Sequence, residues 1–116
     1  MSHVDDIGLP SQHPGPDDAP ELLTRAHSRL PLVPARFDGS KVVVVATFGA
    51  FDLRLVELNQ TADGIPPLWI ELYDTHARRI IDGVGRQALV DLAAPAGRLI
   101  ARARRLGGIA PSDGSP

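Results

Sequence analysis

The chain contains no cysteine in its 116 residues. Disulfides, thiolate nucleophiles and cysteine-ligated zinc or iron–sulfur centres are therefore excluded. Lysine is nearly absent as well: Lys41 is the single lysine among 12 basic residues, the others being arginine. Aromatic residues make up 4% of the chain, with one tryptophan, Trp69, and one tyrosine, Tyr73. The longest uncharged apolar run, residues 42–51, is about half of the roughly 20 residues that span a bilayer, so no membrane partner is expected. Asp5 and Asp6 stand where a secretory leader carries basic residues, which points to a soluble cytoplasmic protein. The net charge of −2 gives no global attraction to nucleic acid. His3, His13, His27 and His76 are scattered without metal-ligand spacing, and no G-x-S-x-G elbow occurs. No metal site, no cofactor and no catalytic residue is assigned.

What remains is ordinary globular composition, 43% hydrophobic and 22% charged, on a length that suits one domain. The preference for arginine, alanine, glycine and proline fits a GC-rich bacterial genome. Charge is segregated. Asp5, Asp6, Asp17, Asp18, Glu21 and Asp38 make the front of the chain acidic, whereas Arg78, Arg79, Arg86, Arg98, Arg102, Arg104 and Arg105 make its back basic. The two halves are therefore able to attract each other, within one chain or between two.

Proline and glycine punctuate residues 1–16, which are expected to form a disordered arm, and residues 107–116 read as a disordered tail. Between them, residues 17–106 are expected to form a single domain. A helix is predicted over residues 20–30, capped by Asp18 with Glu21 three positions later and stopped by Pro31 and Pro34. Leu22, Ala26 and Leu30 give it an apolar stripe with Leu23 beside it. Residues 41–48 carry four consecutive valines and read as a strand. Residues 52–58 read as a second strand and residues 68–73 as a third, in which Leu68, Ile70 and Leu72 alternate with Trp69, Glu71 and Tyr73. A short fourth strand is predicted over residues 79–82. After Gly83 and Gly85 comes a helical segment whose Leu89, Leu92, Ala93, Ala96, Leu99, Ile100 and Ala103 share one face, with Pro95 expected to kink or split it. The fold class is α+β: a three- or four-stranded antiparallel meander with a C-terminal helix on one face and a short N-terminal helix.

The run of valines is apolar on both sides of its strand, and Trp69 and Tyr73 oppose the leucine side of theirs. Both faces of the sheet thus call for cover. The C-terminal helix supplies one. The N-terminal helix, a second copy or another partner is left for the other. A core of this size is marginal, because a domain of about 60 residues buries only about 60% of its unfolded surface.

Few patterns suggest chemistry. Gly83-Val84-Gly85-Arg86-Gln87-Ala88 fits G-x-G-x-x-A but lacks the following strand and acid of a dinucleotide-binding unit, and reads as a strand-to-helix turn. Arg98, Arg102 and Arg105 form a stripe suited to anion or nucleic-acid contact. Asp74 and His76 share a turn, where an acid/base pair is one reading and turn formation the other.

The order of helix, three strands and helix resembles that of double-stranded RNA-binding domains, although Gly85-Arg86-Gln87-Ala88 replaces their lysine cluster. The meander with a tryptophan strand and an alanine-rich helix also resembles the small partner-binding domains of HicB-type antitoxins, without their DNA-binding module. The expected function is a small non-enzymatic binding or assembly module, a homodimer or one bound to a protein partner. Its interface residues are Trp69, Glu71, Tyr73, Val43 and Val45, since aromatics flanking a charge supply rigid contact area. A nucleic-acid-associated or antitoxin-like regulatory role through the arginine helix is the alternative, and a small enzyme of another type comes third.

Overall fold

The computed structural model describes residues 13–59 and 63–108. The elements run α1 (Ala19–Arg29), β1 (Lys41–Phe48), β2 (Phe51–Glu57), β3 (Leu68–Asp74), β4 (Arg79–Arg86) and α2 (Ala93–Leu106). The strands form one antiparallel meander in the order β1-β2-β3-β4. The α+β class and the strand-by-strand order therefore follow the sequence expectation.

A 3-10 turn at Pro16–Asp18 leads into α1. Asp18 is itself helical (φ −84°, ψ −4°) and makes no side-chain cap. Its carboxylate instead accepts the Gly15 N–H at 2.9 Å. Glu21, expected to complete a capping box, pairs with Arg25 one turn along at 2.7 Å. The buried stripe is Ala19, Leu23, Ala26 and Leu30, rotated slightly from the expected one, with Leu22 only partly covered. After a 3-10 turn at Leu30–Leu32 the helix ends, as Pro31 and Pro34 require.

β1 and β2 are joined by Gly49 and Ala50. Gly49 takes φ +63°, the positive value that a two-residue hairpin favours because its twist then matches the strands. The pairing jumps from Val44↔Arg54 to Ala46↔Leu53, leaving Val45 as the extra residue of a bulge. The bulge resolves the doubly apolar strand. Val43 is buried in the core, and Val45 and Ala46 pack against it, so only Val42 and Val44 face the other way. On the core face Val43, Leu55, Ile70 and Val84 pair across all four strands, with Leu53 beside Leu72 in the next row.

β4 is twice as long as its predicted first half. Gly83 and Gly85 do not end it but pair with Glu71 and Trp69. The first four residues of the G-x-G-x-x-A string therefore lie in an edge strand, and Gln87 and Ala88 lead from it to the 3-10 turn at Leu89–Leu92. Gly85 is required by close approach: a Cβ there would stand 2.6 Å from the Trp69 indole, which lies over it. The fourth full strand also removes the resemblance of order to double-stranded RNA-binding domains.

The chain then makes a 3-10 turn at Leu89–Leu92 and enters α2. Pro95 neither kinks nor splits the helix. It is the third helical residue, where a backbone N–H has no intrahelical acceptor to lose. Leu92, Ala96, Leu99, Ile100 and Ala103 are buried, as their spacing implied.

Both helices pack on the same side of the sheet. Ala19, Leu23, Ala26 and Leu30 of the α1 segment join Leu99, Ile100 and Ala103 of α2 in one cluster with Val43, Leu53, Leu55, Ile70 and Leu72. At the sheet edge, the Arg29 guanidinium donates to the Val44 carbonyl at 2.8 Å. Residues 13–16, assigned from the sequence to an arm, lie against the domain. The His13 ring stacks on Phe48 (centroids 5.8 Å apart), and Arg104 donates to the His13 and Pro14 carbonyls. Residues 1–12 of that expected arm and 109–116 of the expected tail lie outside the described residues.

Gly85→Ala is expected to lower stability by about 1–3 kcal/mol by overpacking the indole, read as a shifted denaturation midpoint and altered Trp69 emission. Gly83→Ala is the control. Its added Cβ meets neighbours at an ordinary 3.7 Å, so little change is expected.

Candidate functional site

The side of the sheet opposite the helices is formed by three rows of cross-strand neighbours. Val42, Val56, Trp69 and Gly85 make the first, Val44, Arg54, Glu71 and Gly83 the second, and Thr47, Asp52, Tyr73 and Ile80 the third. No described helix covers it. Val56 is nevertheless buried, shielded by its neighbours in the rows, while Val44 is 42% and Ile80 50% exposed.

The centre of this face is polar. Arg54 and Glu71, directly opposite across β2 and β3, bridge at 2.7 Å with side chains only 17% and 16% exposed. The Arg54 guanidinium also lies 4.1 Å from the centroid of the Tyr73 ring, a cation–π contact. The Arg54 Nε is buried without a hydrogen-bond partner, and the aromatic face partly offsets that loss. Trp69 is fixed at two ends: its indole N–H donates to the Pro66 carbonyl at 2.9 Å, and its ring rests on Gly85. At the far row, the Thr47 hydroxyl donates to Asp52 at 3.0 Å. Apolar contact area thus frames a charged pair whose charges are already matched.

Of the interface residues expected from sequence, Trp69, Glu71 and Tyr73 come together here. Val43 and Val45 do not, because Val43 points into the core and the bulge turns Val45 toward α1. Val42, Val44, Val56, Arg54 and Ile80 take their place. Four valines in a row leave the core side of β1 undecided, and packing against the helices leaves Val42 and Val44 on this face. N-terminal helix cover for this face, one of the expected arrangements, is likewise not what forms. Phe37 also escaped attention: it is wholly exposed in a turn where Ser40 donates through both its N–H and its hydroxyl to Asp38. The Ser40 hydroxyl and N–H hold the Asp38 carboxyl below its usual range.

The arginine stripe divides. Arg102 bridges to Asp82 of β4 at 3.1 Å, whereas Arg98 and Arg105 are exposed on the same side of α2. Asp74 and His76 serve the β3–β4 turn: one Asp74 carboxylate oxygen accepts the N–H groups of His76 and Ala77, and His76 is exposed. Among the described residues no group of three or more metal-ligating acids and histidines occurs, and no helix is long and apolar enough to cross a membrane. Comparison with protein-family models, with curated proteins and with solved structures finds no match in any of the three.

Replacing Arg54 by alanine leaves the largely buried Glu71 without its charge partner, and is expected to cost about 2 kcal/mol in urea denaturation, the scale of a hydrogen bond to a charged group. The more exposed Arg102–Asp82 pair, broken by Asp82→Asn, is expected to cost less than about 1 kcal/mol in the same measurement.

Proposed function

We propose that this chain is a small binding and assembly module that pairs with a second copy through the sheet face built on Val42, Val44, Trp69, Tyr73 and Ile80. One observation carries the reading. Both helices occupy the same side, so the two exposed aliphatics and the fixed aromatics of the other side are left without cover from the described fold.

Sheet faces pack on one another about 10 Å apart through interdigitated side chains. Trp69 and Tyr73 suit such a contact, because their rotamers are already held by Pro66, Gly85 and Arg54, and little freedom is lost on docking. The internally bridged Arg54–Glu71 pair brings no uncompensated charge into the interface. A two-fold arrangement places like surface on like surface, which requires only one patch. The small domain gains from it as well, since its own core covers one sheet face only.

Sedimentation velocity over micromolar concentrations tests the pairing. A concentration-dependent dimer is expected, and Val44→Lys, at an exposed position, is expected to yield a monomer with unchanged circular dichroism. A wild-type chain that stays monomeric throughout would overturn the proposal.

A further inference from the structure

The free margin of β4 carries a run that is complementary to itself. Asp82-Gly83-Val84-Gly85-Arg86 reads alike in both directions, except that an acid stands at one end and a base at the other. The hydrogen-bond pattern shows which backbone groups this run presents. At the ends of the β2–β3 ladder, the Leu58 N–H donates to the Pro67 carbonyl and the Thr75 N–H to the Ala50 carbonyl. Antiparallel pairs alternate between hydrogen-bonded and non-hydrogen-bonded, so Trp69, Glu71 and Tyr73 turn their backbone groups to β2. Leu68, Ile70 and Leu72 turn theirs to Arg86, Val84 and Asp82 of β4. The N–H and C=O groups of Gly83 and Gly85 consequently point outward, where no described strand meets them. Side chains hold two of these groups. The Gly83 N–H donates to Asp82 Oδ1 at 2.8 Å, and the Gly85 carbonyl accepts from Arg86 at 2.8 Å.

We infer that this margin pairs with the β4 margin of a second copy, antiparallel about a two-fold axis at Val84. In that register Gly83 meets Gly85 of the second copy and Gly85 meets its Gly83, so every outward group of both glycines is hydrogen-bonded. Asp82 lies opposite Arg86 of the second copy, and Arg86 opposite its Asp82, at the closer, non-hydrogen-bonded positions. The charges are free to meet. Once the Gly83 N–H donates to the second copy, Asp82 Oδ1 is released, while Oδ2 keeps Arg102 at 3.1 Å. Arg86 leaves the Gly85 carbonyl in the same way, and it has no ion pair among the described residues. The core row of Val43, Leu55, Ile70 and Val84 then runs on into the same row of the second copy. α2 packs over β2 and β3, back from this margin. The irregularity at Ile81 ends the match at Asp82. A contact this short belongs to the weak class, with a dissociation constant of about 1 mM. It does not rest on the sheet-face pairing, which forms at lower concentration.

The test uses the full-length Val44→Lys chain, isotope-labelled, which takes the sheet face out of the measurement. Between about 20 μM and about 2 mM, a range that brackets the expected constant, concentration-dependent amide shifts are expected at residues 82–86, with slower translational diffusion. Asp82→Arg sets like charges opposite each other on both sides of the axis, and so does Arg86→Asp. Each alone is expected to abolish the shifts. An equimolar mixture of the two variants matches every charge again and is expected to restore them. A parent chain whose residues 82–86 do not respond to concentration would overturn the inference. So would a mixture no more associated than either variant alone, or shifts centred on Val42 and Trp69, which report the sheet face. The parent series needs no substitution at the margin, so it decides even where a charge variant fails to fold. The sheet-face reading is judged separately, by sedimentation of the wild-type chain at micromolar concentrations.

Discussion

The row in which Val43, Leu55, Ile70 and Val84 lie side by side is the floor on which everything else rests. Only the burial of that floor stabilises the two helices, neither of which is long enough to persist alone. Each helix contributes a narrow aliphatic stripe, α1 over β1 and β2 and α2 over β2 and β3. Alanine at positions 19, 26, 96 and 103 lets the helix backbones come close to the sheet and to each other. With both helices spent on one side, no further element of the described chain remains for the other. The exposed face follows from the number of elements, and the rest of the molecule is arranged around that asymmetry.

On the uncovered side, the middle row is polar where the flanking rows are largely apolar. Arg54 and Glu71 are shielded by their neighbours, not by another layer: Tyr73 on one hand and the valines and Trp69 on the other. A matched charge pair at the centre of an apolar frame discriminates by register. A partner shifted by one residue would set apolar groups over the ions and leave them desolvated without compensation.

Much of this was legible in the sequence because it depends on local rules. The valines of β1 and the alternation of Leu68, Ile70 and Leu72 located their strands, and the spacing of Leu92, Ala96, Leu99 and Ala103 located the buried face of α2. The departures share another cause. Gly83 and Gly85 read locally as breakers, yet Gly85 is in the strand because the indole of its cross-strand partner Trp69 needs its missing side chain. Pro95 reads as a helix breaker unless the starting residue of α2 is known. Four consecutive valines leave open which side of β1 meets the helices, and packing, not spacing, turns Val43 and Val45 to the helix side. On the side of the sheet away from the helices, the aromatic residues and Glu71 follow from alternation. Arg54 does not, because its importance arises from a partner on the next strand.

The guanidinium of Arg29 occupies one backbone acceptor of the β1 margin, the Val44 carbonyl. The opposite margin is interrupted by the irregularity near Ile81 and by glycines that weaken a ladder. Each margin of the sheet therefore carries a feature that hinders strand-by-strand lengthening. The pairing proposed above, through the broad side, would use the same patch on both molecules and so close on itself. One arginine and one bulge thus mark the two margins at which edge-to-edge growth into open fibres would have to begin.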